Sequence, residues 1–185
     1  MTIQKWKLLT SRDVSPDPWF PVEKRSYQLP DGRRIDDFYV TTVEDVSQIV
    51  PVTDRGTVIL IREYKPGADE IMIQFPAGRR EDKHADFKHL AQVELEEETG
   101  IRVSSEQLTE FAVLSGFTTK GTEKVHMFLA RGCELNASQK LDSTEEIEIL
   151  EMPFDALDRR IAAGEIHCAQ TIAAWTLVKV KGLLS

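Results

Sequence analysis

The sequence predicts an α/β fold, an α/β/α or α+β sandwich, and two patterns carry that expectation. Short runs of β-branched and aromatic residues recur from Val22 to Met152, bounded by Gly, Pro and Asp turns. Helical signals interrupt or follow these runs near Asp86, Pro153 and Thr171. The 185 residues suit one domain with a small terminal extension, long enough to bury a core without disulfides.

Taken in order, residues 1–45 read as short strands joined by turns. The segment from Ser15 to Phe20 holds two prolines and should be extended and non-helical. Val22 to Leu29 and Ile35 to Thr42 form a hairpin across Pro30-Asp31-Gly32, where Pro presets φ and Gly permits positive φ. A second hairpin joins Val46–Val52 to Thr57–Tyr64 across Asp54-Arg55-Gly56. Glu70 to Phe75 is a strand ending at Pro76-Ala77-Gly78. A helix from Asp86 to Glu98 follows and is closed by Gly100. Leu108–Leu114 and Lys124–Arg131 are strands flanking a Gly116–Gly121 loop. Asn136 to Thr144 is a polar loop, and Ile147–Met152 is a strand. Pro153 opens a helix through Ala163, and Thr171 to Leu184 is the last helix.

Composition narrows the function classes. Net charge is −8 and the pI is about 5.1, which argues against a nucleic-acid binder with a basic face. An anionic small substrate remains compatible, because a metal ion can reverse the field in one cleft. Cys133 and Cys168 are the only cysteines, the usage of a reducing compartment. The start MTIQKWKLLTSRD has no apolar signal core, and no run is long enough to span a membrane. The expected location is cytoplasmic.

The chemistry concentrates on helix 86–98. Its apolar stripe begins with Phe87, Leu90 and Ala91, and at about 100° per residue Glu94, Glu97 and Glu98 continue the same sector. Glu96 adds a fourth acid. These carboxylates occupy the last turns, where the helix dipole is already negative. No Lys or Arg lies four residues before any of them, and the nearest downstream cation, Arg102, is beyond the glycine stop. Such a cluster needs a cation, and Mg²⁺ or Mn²⁺ suits carboxylate oxygen.

Glu94-Leu95-Glu96-Glu97-Glu98-Thr99-Gly100-Ile101 matches E-U-x-E-E-x-G-U, the second half of the Nudix box G-x5-E-x7-R-E-U-x-E-E-x-G-U, with U aliphatic. Asp17 to Val40, Leu60 to Lys65, Phe75-Pro76-Ala77-Gly78, Ser115-Gly116-Phe117 and Glu145 to Glu148 resemble the ADP-ribose pyrophosphatase-like branch of the Nudix hydrolases in order and spacing. The first half of the box departs from the pattern. It is one residue too long from Gly78, His84 or Ala85 falls where the family has its first glutamate, and Val93 replaces the arginine that helps orient the glutamates.

The resemblance implies a Nudix-type α/β/α sandwich with a mixed β-sheet. Residues 1–45 would be a small antiparallel β extension for dimerisation and base binding, and residues 46–185 the hydrolase domain. It implies divalent-metal-dependent cleavage of a nucleoside diphosphate linked to a sugar, with ADP-ribose the first substrate to try, in a homodimer that engages neither nucleic acid nor membrane. The Ala77 carbonyl, Glu94, Glu97 and Glu98 would hold Mg²⁺ or Mn²⁺. Glu97, Glu98 and Glu145 are the catalytic candidates, Glu145 from a loop that would reach the attacking water, or else a solvated loop acid. Arg62 and Lys65 would hold phosphates or the terminal ribose, or else are strand-edge cations. Trp19 would stack on the base or pack at a subunit interface, with Phe38 a second stacking candidate. His126 and His167 read as structural. The degenerate first half leaves a second reading, a Nudix-fold nucleotide-binding module with weak or no turnover.

Overall fold

Splayed strands at the centre of the larger sheet create the place where the acidic helix docks. The structure, a computed structural model, describes residues 2–184; Met1 and Ser185, the ends of the two expected segments, lie outside the described residues. Residues 1–45 with 115–124 form one compact unit, and residues 46–114 with 125–185 form the other.

The first unit is a three-stranded antiparallel sheet of β1 (Lys7–Asp13), β2 (Val22–Gln28) and β3 (Arg34–Thr41). Strand β1 was not singled out by its sequence, because KLLTSRD has neither strict alternation nor a turn signal before it. Trp6, Tyr27 and Phe38 meet edge to face on this sheet, with ring centroids 5.7–6.0 Å apart. The loop at 115–124 hydrogen-bonds to β3 through Thr41 N–H to Lys120 O, 2.7 Å, and Thr122 N–H to Thr41 O, 3.1 Å. The segment expected to be extended before β2 instead turns tightly. Phe20 N–H donates to Asp17 O at 3.1 Å and Trp19 N–H to Asp17 Oδ1 at 2.8 Å, an Asx turn that Asp-Pro favours.

The second unit is built on a mixed sheet. Its strands are β4 (Val46–Val52), β5 (Thr57–Lys65), β6 (Glu70–Gln74), β7 (Ala77–Arg79), β8 (Leu108–Ser115), β9 (Lys124–Arg131) and β10 (Glu148–Pro153). The order is β10-β5-β4-β9-β8, with β6 on β5 and β7 on β4. Strands β4 and β9 run parallel, and β5 is antiparallel to β4, β6 and β10.

Period-two alternation divides the core. Ile49, Ile59 and Phe128 pack with Ala91 and Leu95 of α1 (Phe87–Thr99). Their neighbours Val50, Val58, Leu60 and Leu129 pack on the opposite face with Leu157 of α2 (Phe154–Ala162) and Trp175 of α3 (Ala169–Val180). Helices on both faces make the three-layer sandwich that the sequence implied. Each fully buried aliphatic side chain contributes about 1.5–3 kcal/mol. Helix α3 stops four residues before its expected end, because Gly182 adopts φ 64° just past the cap. No helix among the described residues is long and apolar enough to cross a membrane.

Two departures from the expected hairpins position the site. Strands β4 and β5 pair only at Val52↔Val58 and then separate. Strand β7, too short to read from sequence, takes the edge of β4 that β5 leaves, with Ser47↔Gly78 and Gln48↔Ala77 in register. The Pro76 carbonyl accepts Ile49 N–H at 2.9 Å, and Ser47 Oγ donates to Phe87 O at 2.8 Å, tying the start of α1 to β4.

Helix α1 begins at Asp86, whose carboxylate accepts His89 N–H at 2.7 Å. It ends at Gly100, with φ 69° and its N–H on Glu96 O. A Cβ at position 100 would lie 2.3 Å from the Ala137 backbone oxygen. Gly100→Ala therefore meets both a left-handed backbone and an unyielding carbonyl, and we expect it to cost about 3 kcal/mol or more. Urea unfolding measures this; a midpoint unchanged from wild type would refute it.

Candidate active site

The last two turns of α1 separate its acids by environment. Glu96 faces Lys140 and Arg102, at 2.5 and 2.9 Å, and their hydrogen bonds hold its carboxyl below the usual range. Glu94 and Glu98 face β7 instead. The Ala77 N–H donates to Glu98 Oε2 at 2.9 Å, and Glu98 is only 5% exposed. Glu94 lies directly on Gly78, where a Cβ would fall 1.9 Å from the Glu94 carboxyl carbon. Glycine at 78 is thus the space the carboxylate occupies.

Burial, followed by the charges of Glu97 and Glu145, pushes the Glu94 carboxyl up to about 7. Burial and then Glu94 push Glu98 well above its ordinary value, against the Ala77 hydrogen bond that favours its ionised form. Lys83 and Lys65 temper Glu94 and Glu98 respectively, but each is already drawn to another carboxylate, Lys83 to Glu81 at 3.3 Å and Lys65 to Glu63 at 2.6 Å.

The loop after β9 is clamped onto the end of α1. Ala137 N–H donates to Gly100 O at 2.8 Å, and Lys140 N–H to Glu97 O at 2.9 Å. Gln139 Nε2 donates to Glu98 O at 2.7 Å. These bonds satisfy helix carbonyls that would otherwise lack partners. They also deliver the Asp142–Glu145 turn, where Asp142 N–H donates to Glu145 Oε2 at 3.0 Å. Glu145 is close enough for its charge to act on Glu94.

Alternation along β5 places the two cations differently. Glu63 and Lys65 share the face of Ile59, toward α1, and reach Glu98 electrostatically. Arg62 lies on the other face and pairs with Glu148 across from it on β10. Arg62 and Glu145 nevertheless line one groove of about 580 Å³, with Tyr64, Ile71, Leu141 and Ile147. Sequence reasoning missed Glu63, which also accepts Gln74 Nε2 at 2.9 Å; counting by twos from Ile59 would have found it.

Trp19 belongs to the N-terminal unit, at the turn before β2, and is 82% exposed. Phe38 is enclosed by Trp6 and Tyr27, with the Lys120 ammonium 3.6 Å from its ring centroid. His126 stacks on Phe87 at 3.6 Å and bonds Glu110 at 2.7 Å, and His167 bonds Glu70 at 2.9 Å. Val93 lines a shallow groove with His89, Glu96 and Arg102.

The donor set fits a hard divalent cation: the half-buried Glu94 and the buried Glu98 lie beside a backbone strand, and among the described residues neither has an ion pair of its own. Among the described residues, no three Asp, Glu, His or Cys side chains are gathered closely enough to hold a metal ion among them.

Without metal, the raised Glu94 pKa has a consequence for stability. The folded chain binds this proton more tightly than the unfolded chain, so stability falls as pH rises from 4.5 to about 7. The loss is on the order of 3 kcal/mol. Thermal unfolding in EDTA should show a midpoint that declines across that window and recovers with Mg²⁺. Glu94→Gln should flatten the decline, and an equal slope in both chains would contradict the assignment.

Comparison with known proteins agrees with this geometry. Residues 43–172 match the model for the NUDIX domain. Residues 6–41 match that for the nucleoside diphosphate sugar hydrolase N-terminal domain. The chain is 29% identical to the ADP-ribose pyrophosphatase of Bacillus subtilis over 138 residues, 74% of this chain and 72% of that one. It is 29% identical to the GDP-mannose pyrophosphatase of Yersinia enterocolitica over 190 aligned positions, 90% of this chain and 91% of that one. A crystal structure of an ADP compounds hydrolase superposes with a TM-score of 0.84 at 24% identity, covering 99% of this chain and 98% of the other. Sequence, fold and the placement of the box glutamates lead to one conclusion: the chain belongs to the NUDIX domain family.

Proposed function

We propose that the protein is a divalent-metal-dependent hydrolase of the diphosphate in a nucleoside diphosphate linked to a sugar, with ADP-ribose as its first substrate. The observation that carries this reading is the pair Glu94 and Glu98, set against Gly78 and Ala77 and, among the described residues, without an ion pair of their own. The relatives named ADP-ribose and GDP-mannose pyrophosphatases support the substrate class.

In this reading Glu94, Glu97, Glu98 and the Ala77 carbonyl hold Mg²⁺ or Mn²⁺. Held there, such an ion would supply charge neutralisation for the diphosphate and acidify the attacking water. Glu145, poised at the groove by its own turn, orients or deprotonates the water that attacks phosphorus. Glu97 and Glu98 share the task of holding that geometry. Arg62 and Lys65 take phosphate or the terminal ribose once substrate competes for their present partners, Glu148 and Glu63. Trp19, exposed in the N-terminal unit, stacks on the base or packs against a second copy in a homodimer. The free thiols of Cys133 and Cys168 accord with a cytoplasmic setting.

Phosphate release tests this on ADP-ribose, GDP-mannose, NADH and diadenosine polyphosphates, with coupled phosphatase and Mg²⁺ or Mn²⁺. The reading predicts metal-dependent release from a nucleotide sugar, with ADP-ribose the best of the set. Tight binding of one nucleotide without turnover would establish the binding-module reading instead, which the substitutions at His84 and Val93 favour.

A further inference from the structure

His84 is 3% exposed, and among the described residues its Nε2 is a buried side-chain nitrogen without a hydrogen-bond partner. It sits in the turn between β7 and α1, which it closes twice. His84 N–H donates to Glu81 O at 3.0 Å, and Glu81 N–H donates to His84 Nδ1 at 3.0 Å. An Nδ1 that accepts a hydrogen bond cannot carry the proton of a neutral ring, so the proton is on Nε2. Burial, then Lys83, lowers the ring's pKa and keeps it neutral. The residue therefore presents a buried N–H of fixed tautomer with nothing to receive it, an arrangement that costs free energy unless an acceptor arrives.

The carboxylates whose charge reaches this ring are Glu81 and Glu97. Glu81 belongs to the same turn and is drawn to Lys83. Glu97 stands on α1 among the acids of the site, where its charge also acts on Glu94. Val93, one turn before Glu97 on the helix, has no donor to offer it. We propose that the His84 Nε2–H takes the Glu97 carboxylate as its acceptor in the working site and fixes its orientation, making His84 a positioning residue. The inference rests on the functional reading above, and it explains how a site without the box's first acid and arginine keeps its glutamates in order.

Two substitutions separate this role from closing the turn. Asn keeps an acceptor near the Nδ1 position but has no donor at Nε2, whereas Gln keeps a donor near Nε2. We expect His84→Asn to remain folded, to lower kcat roughly 10- to 100-fold with KM little changed, and to weaken Mn²⁺ binding measured without substrate. Glutamine at 84 should recover most of both losses. Independently of any variant, ¹⁵N NMR of the metal-free wild-type chain should show His84 as the neutral Nε2–H tautomer. The inference is overturned if the proton is found on Nδ1, if His84→Asn keeps kcat and Mn²⁺ affinity within about twofold, or if Asn and Gln lose both equally. A wild-type chain that neither binds Mn²⁺ nor hydrolyses any nucleotide sugar removes the functional reading and this inference together. Wild-type turnover with an unaffected Asn chain removes this inference alone.

Discussion

Glu98→Gln should abolish diphosphate hydrolysis, by roughly 10²- to 10³-fold or more, in a chain at least as stable as wild type. The side-chain oxygen of Gln can still accept the Ala77 N–H that now bonds Glu98 Oε2 at 2.9 Å. The substitution also removes a carboxyl whose ionisation is opposed by burial and by Glu94. Above pH 5 in EDTA, the thermal midpoint should therefore stay level or rise. Activity and stability then move in opposite directions, the pattern of a group whose electrostatic cost is retained for chemistry. Coupled phosphate release and differential scanning fluorimetry read the two. A chain that loses stability and activity together would make Glu98 a structural acid.

The second large effect is expected at Gly78. An added methyl would come 1.9 Å from the Glu94 carboxyl carbon and 2.0 Å from its Oε1. What it meets is the end of a flexible side chain rather than backbone, so the conflict resolves by displacing the carboxylate. Gly78→Ala should fold with a midpoint within a few degrees of wild type, yet lose roughly 10²-fold in kcat/KM, because a ligand displaced by about an ångström no longer meets the ion. Gly67→Ala is the control, since nothing lies within 4 Å of its added Cβ. Full activity in the Gly78→Ala chain would show that Glu94 need not lie on β7.

Much of this site could be read from the chain because helix periodicity is strong where the acids are. Leu90, Ala91 and Leu95 fix the buried face of α1, so the angular positions of Glu94, Glu97 and Glu98 follow from spacing alone. Glu96 resisted that reading. It belongs with Lys140 and Arg102, and Lys140 is brought to it only by the loop that folds back over the helix end. The three residues of β7 carry no pattern of their own. They form a strand because β4 and β5 splay, a tertiary event. His84 looked like a bare mismatch in a motif, and its closed turn and orphan N–H exist only in three dimensions. The turn at Trp19 shows the converse: two prolines restrict the segment and suggest extension, but Asp17-Pro18 is also a turn signal, and the Asp17 carboxylate wins by accepting Trp19 N–H.

The central claim is that Glu94 and Glu98, and not Glu96, hold a divalent metal. A Mn²⁺ titration followed by electron paramagnetic resonance tests it on the wild-type chain and on Glu94→Gln, Glu98→Gln and Glu96→Gln. The account predicts saturable binding to wild type, at least about tenfold weaker binding to the Glu94 and Glu98 variants, and wild-type binding to Glu96→Gln. Absence of binding to wild type, or equal binding to all four chains, would contradict it.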